Sequence, residues 1–213
     1  MNNKWIEHDH AVGYLGAEGR TPHRVEGEQM LLEILPQKVR RVLDLGCGDG
    51  RLLALVLKVR PQAAGTGMDL SPTMLHQARE RFAGTPNVTI VEHNLDRPLP
   101  EVGRFDVVVS GLAIHHCDHD RKRSLYEEIF RLLEPGGIFC NLERVASPAP
   151  KLHALFLTAI GSTPVTEDPF NKLIDVETQL RWLRSIGFED VDCYWKWLEF
   201  AVFAGSKPAE SQH

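Results

Sequence analysis

The sequence predicts a doubly wound α/β fold with a mostly parallel seven-stranded sheet, an antiparallel last strand and helices on both faces. Three observations favour this fold. Apolar segments of strand length alternate with amphipathic segments of helical length over the first two thirds of the chain. A glycine-rich turn separates the first of these strands from the first helix after it. Two closely spaced strand segments, near enough to form a hairpin, end the chain.

Length and charge restrict the function classes. The 213 residues are ample for one hydrophobic core and few for two domains. A formal net charge of −5 gives no general attraction for phosphate backbones, so no nucleic acid partner is expected. The first ten residues lack the apolar stretch of a signal peptide, and no apolar run could span a bilayer. We therefore expect a cytoplasmic protein without membrane contact.

The cysteine and histidine spacing predicts no metal site. No two of the four cysteines stand in a C-x-x-C arrangement, and their apolar surroundings are typical of buried, reduced thiols. His8, Asp9 and His10 form a short polar run but lack a partner cluster, so they are not expected to be ligands. The four cysteines are Cys47, Cys117, Cys140 and Cys193.

Apolar periodicity and turn residues predict the elements of the first half. Residues 1–37 are expected to form an irregular or helical cap, with a helix over Glu28–Leu35 that Pro36 closes. Ser71 and Pro72 predict a helix start, because Ser is a good N-cap and Pro suits the first helical position. The other elements are strands at Arg41–Leu45, Gly65–Leu70 and Val88–Glu92 and a helix at Arg51–Val59.

The second half completes the sheet and contains an irregular stretch. Residues 135–137, Pro-Gly-Gly, are expected to break a helix and turn into the fifth strand. Residues 146–175 contain several prolines and do not alternate cleanly, which indicates an insertion, and Gly187 is expected to cap a later helix. The predicted elements are strands at Phe105–Ser110, Ile138–Glu143, Asp190–Trp195 and Leu198–Gly205 and helices at Asp120–Leu133 and Val176–Ile186.

The turn after the first strand is the main candidate for a ligand site. It runs Asp44-Leu45-Gly46-Cys47-Gly48-Asp49-Gly50, and glycines at alternate positions let the backbone approach a ligand closely. Arg51 stands where a dinucleotide-binding G-x-G-x-x-G turn has its third glycine, which disfavours an NAD-dependent oxidoreductase. A phosphate-binding P-loop is excluded, because no G-K-[ST] follows.

This turn resembles motif I of the class I S-adenosylmethionine-dependent methyltransferases, an acidic residue followed by G-x-G-x-G. Asp69, at the end of the second strand, matches the acid that binds the adenosyl ribose in that family. Asn94 stands where the family generally has an acidic residue that contacts adenine; an amide could still recognise the adenine edge, and Asp96 is the alternative contact. Residues 105–112 resemble motif IV, and residues 133–137 resemble the turn before the fifth strand.

The resemblance covers about residues 39–143. It implies a Rossmann-like fold, S-adenosylmethionine as cofactor and S-adenosylhomocysteine as product. It divides a single domain, 1–213, into an N-terminal cap or lid (1–37), a cofactor-binding core (38–145), a substrate-side insertion (146–175) and a C-terminal helix and strand pair (176–206). The residues that it implies as cofactor-binding are Asp44, Gly46, Cys47, Gly48, Gly50, Asp69, Leu70, Asn94, Leu95, Ser110 and Gly111.

Three residues are candidates for acting on the acceptor. His115 and His116 lie just beyond the fourth strand, and the ordinary histidine pKa of about 6.5 suits a general base. Packing against the cofactor, or capping the next helix, is the alternative role for either one. Tyr14 belongs to an N-terminal segment that in related proteins folds over the cofactor as a lid; a solvated tail is the alternative.

The favoured function is methyl transfer from S-adenosylmethionine to a small-molecule acceptor, since we expect no extra domain to grip a protein or RNA. The pattern over residues 187–200 is also similar to a branch that includes carboxy-S-adenosylmethionine synthases, for which Arg144 and Arg181 are the available carboxylate-holding arginines. A non-catalytic S-adenosylmethionine-binding protein is a further alternative. The insertion is expected to form either a lid or a dimer contact, so a homodimer stays open.

Overall fold

The structure, a computed structural model, describes residues 21–209. Within that range the strands are β1 (Arg41–Leu45), β2 (Ala64–Asp69), β3 (Val88–Glu92), β4 (Phe105–Gly111), β5 (Leu133–Arg144), β6 (Glu189–Trp197) and β7 (Phe200–Ser206). The helices are α1 (Arg24–Glu33), α2 (Arg51–Val59), α3 (Pro72–Arg81), α4 (His119–Leu132), α5 (Pro150–Ala159) and α6 (Val176–Ile186), with a 3₁₀ turn at Ile114–His116. No helix in this part of the chain is both long and apolar enough to cross a membrane.

All seven strands form one sheet, in the order β3-β2-β1-β4-β5-β7-β6. Strands β1 to β5 pair in parallel, and β7 runs antiparallel to both β5 and β6. The predicted fold is therefore confirmed, including the terminal hairpin. The strand order reverses between β1 and β4, which is the switch point at which such sheets bind ligands beyond the carboxyl ends of their strands.

Each face of the sheet packs against its own hydrophobic core. Consecutive residues of β1 point to opposite faces, so Val42 and Leu43 belong to different cores. Leu43 packs with Leu125 of α4 and with neighbours from α6, whereas Val42 packs with Val56 of α2 and with residues of α1. Because both faces are covered, the central strands are continuous apolar runs, and their bounds could be predicted to within one residue.

Strand β6 ends at Trp197 and β7 begins at Phe200, each two residues later than expected. Two larger differences have a physical reason. Helix α1 begins at Arg24 and not at Glu28, because its first turn is held by the ion pair between Arg24 and Glu28, which apolar periodicity does not detect. Strand β5 begins at Leu133, before the expected Pro-Gly-Gly turn. Leu133 already pairs with Phe105, the register then shifts, and Gly136 takes a φ of 77° within this irregularity.

The insertion contains one regular element. Helix α5 buries Phe156 and Leu157 against Phe200, while Leu155 on its other side stays 52% exposed. Trp195 and Trp197 pack partly buried against this group. The insertion therefore lies over the carboxyl end of β5 and the β6–β7 turn, next to the switch point.

Candidate functional site

An open cleft lies at the carboxyl ends of β1, β2 and β4 and encloses about 890 Å³, its mouth included. Ten of the predicted site residues line it: Asp44, Gly46, Cys47, Gly48, Asp69, Leu70, Asn94, Leu95, Gly111 and His116. Gly50, Ser110 and His115 are not part of the lining. Tyr14, like the whole of residues 1–20, lies outside the described residues.

The glycine turn is built around left-handed backbone. Gly46, Gly48 and Gly50 have φ values of 69°, 54° and 83°, a region that favours glycine. A Cβ atom at Gly46 would lie 2.2 Å from Cβ of Ala113, whereas nothing lies within 4 Å of a Cβ at Gly48. Gly46 is therefore required by packing inside the protein, and Gly48 faces the open cleft.

Asp69 is held at the end of β2 by two backbone donors. Its Oδ2 accepts a hydrogen bond from the Gly48 N–H and its Oδ1 one from the Ser71 N–H, both at 2.8 Å. Burial raises the pKa of this carboxyl above its ordinary value, against the effect of those hydrogen bonds. Each oxygen keeps a further lone pair, so the fixed carboxylate can still accept from a diol.

Asp44, at the floor of the cleft, has an unmet hydrogen-bonding capacity. Its side chain has no exposed surface, and Oδ2 accepts from the Leu53 N–H at 3.1 Å. Oδ1 has no hydrogen-bond partner within residues 21–209. Burial raises the pKa of Asp44 to about 8, and the charges of Asp69 and Asp49 add to that effect. The site is thus suited to a cationic or donor group of a ligand.

A charged cluster that the sequence did not reveal closes one side of the cleft. Glu28 accepts hydrogen bonds from Nε of Arg24 at 2.8 Å and from Nε and Nη2 of Arg51 at 3.0 and 2.7 Å. Burial alone would raise the pKa of Glu28, but the two guanidinium groups outweigh it and hold the pKa below its ordinary value. Arg24 and Arg51 both line the cleft. Arg51, which stands where a dinucleotide-binding turn would have its third glycine, therefore also contributes to the cleft wall.

The far end of the cleft, after β3, is lined by residues 93–96. Oδ1 of Asn94 accepts from the Asp96 N–H at 2.9 Å, so the amide group of Asn94 remains to face a ligand. His93, which sequence reasoning missed, has a buried Nε2 without a hydrogen-bond partner within the described residues. Burial lowers the pKa of His93, which favours the neutral ring.

Two strained or buried residues shape the cleft where β4 ends. Leu112 lines the cleft and has a φ of 55°, a conformation that non-glycine residues adopt at a cost of about 1–2 kcal/mol. Its N–H donates to Leu142 O at 2.7 Å, which fixes the chain there. Ser110, which does not reach the cleft, donates its hydroxyl to Leu45 O at 2.8 Å and ties β4 to β1. A positive φ at a leucine carries no sequence signal.

The two histidines of the 3₁₀ turn lie in different environments, although their ring centroids are 4.0 Å apart. His116 lines the cleft, whereas His115 is buried with Nδ1 2.7 Å from Oε1 of the fully buried Glu143. Buried Lys122 donates to the carbonyl oxygens of His115, Cys117 and Lys172. The turn that presents His116 is therefore fixed from below by a carboxylate and an ammonium group.

Comparison with known proteins agrees with this geometry. Residues 42–137 match the family described as a methyltransferase domain. The chain is 37% identical over 109 residues to trans-aconitate 2-methyltransferase of Rhodopseudomonas palustris (strain BisB18), a match that covers 51% of this chain and 40% of the relative. The chain thus spans less than half the length of that relative.

Solved structures share the fold. An O-methyltransferase family protein from Burkholderia thailandensis matches with a TM-score of 0.70 and 23% identity, over 89% of this chain and 58% of that one. Human N-acetylserotonin methyltransferase, solved in complex with S-adenosylmethionine, matches with a TM-score of 0.62 and 22% identity, over 86% and 52%. These structural likenesses show the fold, and the family match covers the strands and turns that build the cleft. The chain is thus similar to methyltransferases in sequence over residues 42–137 and in fold over most of its length.

Proposed function

We propose that this chain transfers the methyl group of S-adenosylmethionine to a small-molecule acceptor. The observation that carries the proposal is the buried Oδ1 of Asp44, which lacks a partner within residues 21–209 at the floor of the cleft. A buried acceptor without a donor costs about 1–3 kcal/mol. A ligand with a positively charged end would offset that cost, and the family's cofactor carries both an ammonium and a sulfonium group.

The cleft offers a chemically suitable group for each part of that cofactor. Asp69 is the candidate acceptor for the ribose hydroxyls, since both its oxygens are fixed by backbone donors. The amide of Asn94 and the neutral ring of His93 are the candidates for the adenine edge. Gly48 leaves the backbone open to close approach. Gly46 also lines this surface, and Gly50 and Ser110 support it from behind.

When bound, S-adenosylmethionine supplies a methyl group on a positively charged sulfur for in-line displacement. The chain's own part is to position the acceptor, exclude water and, where the acceptor must lose a proton, accept that proton. His116 is the candidate base, because it lines the cleft. His115 is a positioning residue in this proposal, since Glu143 fixes its ring behind that of His116.

A small acceptor is supported by the relative named trans-aconitate 2-methyltransferase. The carboxy-S-adenosylmethionine synthase alternative loses support from the positions of its two candidate arginines. Arg144 is buried in ion pairs with Glu199 and Glu167, and Arg181 is exposed on α6 beside Thr178. Neither of these arginines lines the cleft.

Calorimetric titration with S-adenosylmethionine and S-adenosylhomocysteine tests the cofactor part of the proposal. We expect wild type to bind both, and Asp69→Ala to lose at least tenfold in affinity for both. Asp192→Ala, an exposed aspartate on β6, is the matched control and should bind as wild type does. Absence of binding by folded wild-type protein would refute the proposal.

Turnover tests the catalytic part. Release of S-adenosylhomocysteine is measured over a panel of small acids, phenols and amines. With an accepted substrate, His116→Ala should lower kcat by about 10²–10⁴-fold while cofactor affinity stays unchanged. Binding without turnover across the panel would favour the non-catalytic alternative. If turnover survives His116→Ala, the chain is still an enzyme, but His116 is not its general base.

A further inference from the structure

A second buried charge cluster, separate from the cleft lining, joins the insertion to the sheet. We call it the latch; it consists of Arg144, Ser147, His153, Glu167 and Glu199. Glu199, in the β6–β7 turn, has no exposed surface. It accepts hydrogen bonds from Nε of Arg144 at 2.9 Å, from the hydroxyl of Ser147 at 2.7 Å and from Nδ1 of His153 at 2.7 Å. One carboxylate thus holds the end of β5, the linker and helix α5 together.

Glu167, from the loop over residues 160–175, supplies the second carboxylate. Its Oε1 lies 2.5 Å from Nη2 of Arg144, and its Oε2 lies 3.2 Å from Nε2 of His153. The guanidinium of Arg144 also lies over the ring of Phe156, 4.8 Å from its centroid, so it is fixed from two sides. The loop is therefore fastened to α5 through His153 and to β5 through Arg144.

The geometry of His153 specifies its protonation state. Both ring nitrogens face carboxylate oxygens, but a neutral imidazole carries only one N–H, so one nitrogen would place its lone pair against an anion. The imidazolium donates from Nδ1 to Glu199 and forms an ion pair with Glu167, whose Oε2 lies 3.2 Å from Nε2. The charged groups that face His153 are Arg144, Glu167 and Glu199, and with a protonated ring the two positive and two negative charges balance. The side chain is 35% exposed, so its proton exchanges with solvent.

The segment that the latch holds packs behind Leu112 of the cleft wall and behind the histidine turn. Leu112, which lines the cleft, packs against Phe156, Leu157 and Phe200. At the other end of the segment, the Lys172 N–H donates to His115 O at 2.9 Å. Movement of α5 and its loop would therefore remove the support behind Leu112 and the histidine turn.

We propose that His153, as an imidazolium between Glu199 and Glu167, is a positioning residue that fastens helix α5 and the loop over 160–175 beside the histidine turn. Loss of its proton leaves a net negative cluster, with a lone pair facing a carboxylate, and releases the segment. This inference concerns the position of helix α5 and its loop and not methyl transfer itself. It can therefore be tested without any acceptor.

The hydrogen bond to Glu199 also raises the pKa of His153 above its ordinary value, against the effect of burial. Because the pKa is raised in the folded protein, the direction in which the stability of the latch changes with pH follows. The stabilisation of the latch is complete below the ordinary histidine pKa of about 6.5 and is lost as pH rises through the raised value. The loop should therefore be closed in mildly acid solution and released in alkaline solution.

The test combines histidine NMR titration with amide hydrogen exchange of the full chain at about pH 6 and about pH 8.5, corrected for the intrinsic pH dependence of exchange. We expect a raised pKa for His153. We also expect residues 150–175 to lose protection against exchange at the higher pH, by about tenfold for each unit by which that pKa is raised. Strands β1 and β4 should keep their protection at both values.

Glu167→Gln is the most informative variant. A glutamine amide can donate to Nε2 of a neutral ring while Nδ1–H still donates to Glu199, so the segment should stay protected at both pH values. His153→Gln should lose protection at both. His76→Gln is the matched control, since His76 lies on the exposed face of α3 with Glu80 only 3.4 Å away in the next turn. It should behave as wild type.

Two results would overturn the proposal. One is an ordinary or lowered pKa for His153. The other is protection over residues 150–175 that does not depend on pH in wild type, or that depends on pH equally in Glu167→Gln. Affinity for S-adenosylhomocysteine serves as an independent readout of the cofactor site, so failure of the latch and failure of the proposed function are distinguishable.

Discussion

Nδ1 of His115 lies 2.7 Å from Oε1 of Glu143, a carboxylate with no exposed surface. The same Oε1 accepts from the Arg144 N–H at 2.9 Å, and the amide of Asn141 reaches Oε2 at 3.5 Å. One carboxylate in β5 thus anchors the 3₁₀ turn that follows β4. Since His116 is the next residue in that turn, the anchor determines where the cleft-lining ring can lie.

We therefore expect Glu143→Ala to destabilise the fold by about 3 kcal/mol or more, because it leaves several buried donors without an acceptor. Glu143→Gln keeps an acceptor oxygen and should cost about 1–2 kcal/mol. Urea denaturation followed by circular dichroism measures both. If the alanine variant were as stable as the glutamine variant, Glu143 would not be the anchor of the turn.

Asp44 couples cofactor binding to proton release. Burial raises its pKa to about 8 in the ligand-free protein, so most molecules carry the proton at neutral pH. A positively charged ligand favours the carboxylate, so binding below about pH 8 should release a proton and apparent affinity should rise with pH, at most about tenfold per unit. Calorimetry of S-adenosylmethionine binding in buffers of different ionisation enthalpy counts the protons.

The control for this measurement is Asp44→Asn, which cannot titrate at this position. Any proton exchange left in the variant belongs to other groups, including the cofactor's own amine with a pKa near 8. Equal proton release by wild type and variant would show that Asp44 does not face the positive end of the ligand.

The raised pKa of Asp44 also predicts a trade-off between cofactor binding and the stability of the ligand-free fold. The carboxyl of Asp44 titrates near its ordinary pKa of 3.8 when unfolded and near 8 when folded. The unfolded chain therefore binds fewer protons between these values, and the group destabilises the ligand-free fold increasingly as pH rises from about 4 to about 8. Asp44→Asn removes this term, so its stability relative to wild type should increase with pH.

Scanning calorimetry of the ligand-free proteins at about pH 5 and about pH 8 measures that difference. The relative stability of Asp44→Asn should grow by up to about 1.4 kcal/mol per pH unit over this range. The variant should at the same time bind S-adenosylmethionine more weakly than wild type. A constant stability difference at both pH values would mean that the folded pKa of Asp44 is not raised.

The parts of the site that could be predicted from sequence are those that topology brings together. Asp44, Asp69 and Asn94 each end a parallel strand, and parallel strands end at the same sheet edge, so separate segments predict one cleft. Local turn chemistry also identified the glycines, although it could not distinguish Gly46, which packs against Ala113, from Gly48, which faces the cleft.

The parts that could not be predicted depend on side chains far apart in sequence. Glu28 meets Arg51 from 23 positions away, and Glu143 meets His115 from 28 positions away. Neither pair follows a helical or strand period, so no sequence pattern indicates it. Helix α1 was placed too late for a different reason: Arg24 and Glu28, which hold its first turn, stand at helical spacing but are not apolar residues.

The two glycines give a direct test of which turn positions serve the ligand. Gly48→Ala adds a methyl group that meets no protein atom within 4 Å, so its structural cost should be the left-handed backbone alone, about 1–2 kcal/mol. That methyl group projects into the cleft and should lower the affinity for S-adenosylhomocysteine by at least about tenfold, equivalent to ~1.4 kcal/mol.

Gly46→Ala should behave in the opposite way. Its Cβ would lie 2.2 Å from Cβ of Ala113, far inside contact distance, so the turn must shift and the fold should lose about 3 kcal/mol or more. Gly84→Ala, at a φ of 83° with nothing near its Cβ and outside the cleft lining, measures the backbone cost alone. Thermal denaturation and calorimetric titration separate the three variants. If Gly48→Ala bound S-adenosylhomocysteine as tightly as Gly84→Ala, the ligand would not lie over Gly48, and the placement of the cofactor along this turn would be wrong.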